Sequence, residues 1–387
     1  MRRTDIDVLR ILLCGAIILV HALAIFASEP HYHLKSSVPS PVASLLFDVL
    51  RAAAISSWFI LAGWSAVASL RTRNPGRFAK ERVLRLLVPL IFGVVIFGSM
   101  IKYIELYDGR DMGFHGLREA EWLQGIMQLD KPVGYFDFFP RNLKRLPLMT
   151  WSHLWFLAYL FLISMLLLPL LQRLARRVPD VSVPPAFAVY LPLIPMIAVL
   201  VTLNGYWPYF PNLVMDWSNF IYFALCVVTG AGIAAWPGFE TRLRTQAPWF
   251  LVLLVIGFAG VAVFGESSWG RFFIGFVAWG GAGAGLGFLA RLNPAPTSLA
   301  DYLSEATLPV YIIHHVPLLV IGWYLLPVAI PLWLKIVVIW LAATIVSLAI
   351  YHWLVRPWPW MRWLMGMTPR KASVSVSAAS AAVPETM

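Results

Sequence analysis

The chain has 387 residues, 60% of them hydrophobic and 13% charged, with a mean hydropathy of +0.75. A soluble domain carries about 25% charged residues, and one this apolar would aggregate, so the composition excludes an ordinary water-soluble enzyme and makes a bilayer the natural solvent. Two cysteines in apolar runs, Cys14 and Cys226, exclude a disulfide framework, while the net charge of +11 raises a nucleic-acid reading that its distribution argues against below.

A helix crosses the hydrocarbon core in about 17–25 residues. Ten such spans are predicted, at about 8–27, 44–70, 83–102, 153–172, 185–203, 218–236, 249–265, 271–290, 306–326 and 332–354. The expected fold is all-α: a polytopic membrane protein of about ten transmembrane helices. Arg2 and Arg3 before the first span resemble a secretion signal, yet the later spans hold the chain in the membrane regardless.

The first span carries Arg10 at its edge and His21 eleven residues on, about 16 Å along a helix axis. His21 therefore lies past the midplane, where ionisable groups face a cavity or a partner. A neutral imidazole there offers the lone pair a general base needs. A helix–helix hydrogen bond would occupy it equally well, and the residue type alone leaves both readings open. In the second span Asp48 and Arg51, three apart, form an expected intrahelical ion pair. The third opens with ERVLRLLVP, which puts Arg82 and Arg85 on one helical face. Paired guanidiniums suit phosphate groups, and equally suit plain anchoring at the membrane edge.

The connection 103–150 mixes carboxylates with Tyr103, Tyr107, Trp122, Tyr135, Phe136, Phe138 and Phe139. That mixture fits either a sugar-stacking surface or an interfacial aromatic belt. His153 opens the fourth span and reads as an acceptor-orienting group or a polar cap. The seventh and eighth spans form a tight hairpin near Glu266–Gly270. The glycine run at 280–287 lacks the strand and lysine of a phosphate loop and reads as close helix packing. HWLVRPWPWMRW at 352–363 reads as an interfacial anchor. From Thr368 to Met387 the chain is Ser- and Ala-rich and expected to be a disordered tail, leaving one transmembrane domain over 1–367.

Ten spans return both termini to one side, and that side holds 19 of the 30 basic residues. Positive charge collects on the cytoplasmic side, so both termini are expected to be cytoplasmic. The basic charge is then an orientation signal, with no nucleic-acid partner required.

Taken together, these motifs resemble the acyltransferase-3 family of membrane O-acyltransferases. The resemblance rests on TDIDVLR opening the first span, on ten residues between Arg10 and His21, and on two between Arg82 and Arg85. SWFILAGW at 57–64 and TLPVYIIHH at 307–315 extend it, so that it runs from about residue 4 to 355. WSHLWFL at 151–157, with the His314–His315 pair, is closest to the glucan-biosynthesis branch, linked to succinylation of periplasmic glucans.

The resemblance implies that His21 is catalytic and that Arg10, Arg82 and Arg85 hold an acyl-CoA co-substrate. His153, His314 and His315 are assigned to the acceptor, with His315 supported by the glucan branch alone. One departure is Ala158–Tyr159, where some relatives carry an acidic residue shortly after HLWFL. No tightly bound cofactor is expected, and no metal, because no carboxylate or cysteine recurs at ligand spacing. The expected activity is transfer of a succinyl or acetyl group from acyl-CoA to a carbohydrate hydroxyl, in the bacterial inner membrane. The alternative from another class is a carbohydrate or lipid transporter, which internal repeats would favour; the sequence has no convincing repeat.

Overall fold

The computed structural model describes residues 3–29, 32–107, 134–144, 150–204, 213 and 216–368. The predicted tail beyond Thr368, Trp122 and most of the 103–150 connection lie outside them. Among the described residues there is no strand. The helices are α1 (Thr4–Ala24), α2 (Pro41–Leu70), α3 (Pro75–Glu105), α4 (Tyr135–Leu143), α5 (Ser152–Leu166), α6 (Leu168–Arg176) and α7 (Ala186–Thr202). They continue as α8 (Trp217–Ala235), α9 (Pro237–Phe264), α10 (Ser268–Leu292), α11 (Ser298–Ile313), α12 (His315–Leu325), α13 (Leu332–Val355) and α14 (Pro359–Leu364). Among the described residues, seven are long and apolar enough to cross a membrane, and up to nine spans result if the bent pairs α5–α6 and α11–α12 each count once. The chain is thus an all-α polytopic membrane protein.

Two predicted spans begin too late. The third starts at Pro75 rather than 83, and the seventh at Pro237 rather than 249, so the latter is a 28-residue helix and not a short one. In both, a proline in the first turn starts a polar helical extension ahead of the apolar stretch. Hydropathy registers the apolar stretch only.

The fifth predicted span is the shorter α7, which nevertheless joins the two ends of the bundle. Near its start Arg242 Nε donates to the Pro184 carbonyl at 2.8 Å, and near its end Asn204 meets Ser218 at the head of α8. α8 then runs back, so that the Arg71 guanidinium reaches the Ala234 carbonyl at 2.8 Å. The first and last described segments both reach that same basic end. Arg3 pairs with Glu240, and Gly366, with φ +66°, lies so close that a Cβ there would sit 2.8 Å from the Arg85 carbonyl.

Both bends have a proline as their cause. Pro169 and Pro317 each lack the N–H that would donate to the carbonyl four residues earlier, and the axes turn by 63° and 61°. A related break lies at Pro89, where the Val88 amide reaches back five residues to the Val83 carbonyl. The bend at His314 matters most for function, because adjacent residues of a straight helix do not face the same way.

Candidate active site

A cavity of about 560 Å³ runs inside the bundle, within the size range of small-molecule sites. Arg10, Arg82 and Arg85 line one end, and His21, His153 and His315 line the other. Residues assigned to donor and acceptor from separate motifs therefore share a single space.

At the basic end the arginines are held unequally. Arg10 donates to Ser65 Oγ at 2.7 Å and to Asp7 at 3.3 Å. Arg73 and Arg77 share Glu81. Among the described residues neither Arg82 nor Arg85 forms an ion pair; Arg82 lies over the Phe78 ring at 4.7 Å. The break before Pro89 adds a residue to the turn between them, and both still line the cavity.

At the other end four histidines surround one spot. The His21 ring centre lies 4.5 Å from that of His315, 5.2 Å from His314 and 6.1 Å from His153. The bend at His314 lets two consecutive histidines reach it. Among the described residues His21 makes no hydrogen bond, so its nitrogens remain available to the cavity. His153 Nε2 lies 3.1 Å from the Tyr311 carbonyl and 3.2 Å from that of Ile312, which makes it the protonated nitrogen, while Nδ1 is buried with no partner among the described residues. His314 donates from Nδ1 to the Tyr311 carbonyl at 2.7 Å, and its Nε2 is likewise unpartnered. His314 does not line the cavity but is fully buried behind it.

Spacing along the chain predicted no metal set, yet three imidazoles from separate segments converge. The ligand atoms of His21, His314 and His315 lie within 4.8 Å of one another. Three imidazoles at that spread could hold a metal ion, a grouping that spacing along the chain did not announce.

Sequence reasoning missed the segment between α1 and α2. Its described part folds back onto the end of α1, with the Ser36 amide on the Ile25 carbonyl at 2.8 Å and Lys35 Nζ capping the Ala24 carbonyl at 2.8 Å. This places Tyr32 and His33 in the cavity. The Tyr32 ring stacks 6.0 Å from His21, its hydroxyl is buried without a partner among the described residues, and burial holds the phenol well above its usual pKa. His33 Nδ1 pairs with Glu105, while Nε2 lies 2.6 Å from Ser152 Oγ. Glu105 and Lys102, 3.3 Å apart, are both 1% exposed. The available signals were the histidines at 31 and 33 beside a span, and a Lys–Glu pair three apart at a span's end.

Three local features take the form that their sequence suggests. Asp48 and Arg51 pair at 3.0 Å. Cys14 is buried against the Thr307 carbonyl and does not line the cavity. The 280–287 glycines lie within α10, where Gly280, Gly283 and Gly287 pack against α9.

Residues 3–352 match the acyltransferase-3 family model, described as an acyltransferase domain. No curated protein and no solved structure matches the chain.

Proposed function

We propose, from the premise that this chain belongs to the acyltransferase-3 family and is an acyltransferase acting on groups other than aminoacyl groups, that it moves a succinyl or acetyl group from cytoplasmic acyl-CoA to a carbohydrate hydroxyl across the bacterial inner membrane. A periplasmic glucan is the proposed acceptor. One observation carries the reading: a single cavity is lined by Arg10, Arg82 and Arg85 at one end and by His21 and His153 at the other.

The chemistry follows from that arrangement. Arg82 and Arg85, without carboxylate partners among the described residues, bind the phosphates of the donor. The acyl arm then extends along the cavity towards the histidines. His21, with unoccupied nitrogens, takes the proton of the incoming hydroxyl as its oxygen attacks the thioester carbonyl. The Tyr32 hydroxyl, protonated and without a partner among the described residues, is placed to donate to the carbonyl oxygen as charge gathers on it. His153 and His315 line the acceptor's side of the same space.

The test is transfer itself. Purified wild type and His21→Ala are each given labelled succinyl-CoA or acetyl-CoA with a bacterial glucan extract. Wild type should label the glucan and release free CoA. His21→Ala should lose at least about 100-fold of that activity while still binding CoA. If wild type neither binds nor consumes any acyl-CoA across a broad acceptor set, the transporter reading replaces this one.

A further inference from the structure

Ser152, His33 and Glu105 stand in a line that His21-based transfer does not use. Ser152 Oγ lies 2.6 Å from His33 Nε2, and His33 Nδ1 pairs with the Glu105 carboxylate. A carboxylate on Nδ1 fixes the proton there, so Nε2 carries the lone pair that accepts the Ser152 hydroxyl. Hydroxyl, imidazole and carboxylate thus occupy the roles of nucleophile, base and orienting group, a relation recognised by geometry rather than chain order. Lys102 Nζ, 3.3 Å from Glu105, offsets the cost of burying that carboxylate.

The backbone at Ser152 gives a second, independent sign. Its φ is +43°, a left-handed conformation that disfavours any residue with a Cβ. Its amide donates to Thr150 Oγ1 at 3.1 Å, and the chain enters α5 at once. Such strain gathers where a side chain must be aimed. Here the aimed group is a hydroxyl, 3% exposed as a residue. Ser152 and His33 both line the cavity that holds His21 and the arginines.

We propose that Ser152 is the nucleophile that first receives the acyl group, so that transfer runs through an acyl ester on its hydroxyl. This rests on the acyl-CoA reading above and replaces its single attack on the thioester with two successive transfers, the hydroxyl activated by His21 attacking the Ser152 ester instead. In the first half, Ser152 Oγ attacks the thioester carbonyl carbon. The Oγ–C bond forms, the C–S bond breaks, and the hydroxyl proton passes through His33 Nε2 to the departing thiolate, which leaves as the free thiol. In the second half, the acceptor's hydroxyl oxygen attacks the ester carbonyl carbon while His21 takes its proton. The new ester bond forms, the Oγ–C bond breaks, and the proton taken by His21 ends on Oγ. His315 stands between the two bases, its ring centre 4.5 Å from that of His21 and 5.1 Å from that of His33.

Acid-quenched mass spectrometry tests this directly. Full-length wild type is mixed with succinyl-CoA or acetyl-CoA without acceptor, quenched and digested. The acyl mass should appear on the peptide containing Ser152, with about one equivalent of CoA released. Ser152→Ala should lose both the adduct and glucan acylation, the latter at least about 100-fold. Ser152→Cys should form a thioester that neutral hydroxylamine removes, which separates chemistry from folding. His21→Ala should keep the Ser152 adduct yet fail to pass it on. The proposal is overturned if Ser152→Ala acylates glucan within about threefold of wild type. It is overturned too if the trapped group sits on another residue, or if wild type acylates glucan while neither Ser152 nor its cysteine variant ever carries an adduct. Wild type that consumes no acyl-CoA at all would remove the acyl-CoA reading and this step with it.

Discussion

Among the described residues, Arg82 and Arg85 differ from Arg10 and Arg73, which line the same cavity, in having no carboxylate partner. Arg10 is spent on Asp7 and Ser65, and Arg73 on Glu81. A guanidinium kept beside a cavity without a carboxylate is suited to an anion that arrives later. A hydrogen bond to a charged group contributes about 1.5–3 kcal/mol. Arg82→Ala or Arg85→Ala should therefore raise KM for acyl-CoA about 10- to 100-fold with kcat nearly unchanged, because the phosphates are bound equally in ground and transition states. Steady-state kinetics with varied acyl-CoA decides it, and a fall in kcat at constant KM would contradict the assignment. Lysine at Arg82 should restore part of the loss, since it keeps the charge but not the planar fork. The family resemblance had singled out these arginines with Arg10, His21, His153 and His315, and all six line the cavity. His33, Glu105 and Ser152 were not legible beforehand. They lie 72 and 119 residues apart along the chain in their two contacts, and no periodicity marks the loop that delivers His33.

At the scale of helices, close approach does the work that hydrophobic exclusion does in water, since lipid is as apolar as leucine. α2 and α8 touch through reciprocal glycines. A Cβ on Gly63 would lie 2.0 Å from the Val227 carbonyl oxygen, and one on Gly230 would lie 1.8 Å from that of Ile60. Both obstacles are backbone, so the helices must part. Gly230→Leu should cost about 3 kcal/mol or more, read as a lower thermal midpoint in detergent. Gly15→Ala is the matched contrast, for its Cβ would meet nothing within 4 Å. Within a helix that change should be neutral or stabilising by about 0.5–1 kcal/mol. Equal losses from both variants would count against the packing account. Helix positions were readable from hydropathy, and so was the packing role of the 280–287 glycines. The bends were not, although Pro169 and Pro317 announced them. A hydropathy window sees a continuous apolar run whether or not its axis turns by 61°, and that turn is what brings His314 and His315 together.

For the whole molecule, direction across the membrane decides which substrate meets which end of the cavity. The N-terminal turn of α1, the α2–α3 connection and Gly366 lie at one end, as Arg3–Glu240, Arg71–Ala234 and Gly366–Arg85 require. The same end holds most of the basic residues, so it should face the cytoplasm. Thr72 is exposed there, and Glu266 is exposed in the α9–α10 turn at the other end. Cys14 and Cys226 are both buried, which leaves the native chain a quiet background for thiol labelling. In intact spheroplasts a membrane-impermeant maleimide should modify Glu266→Cys, and should reach Thr72→Cys only after permeabilisation. The reverse pattern would place Arg82 and Arg85 outside, where no CoA is supplied. The cavity's arginines would then face an external anion, and the order of donor and acceptor along it would have to be inverted.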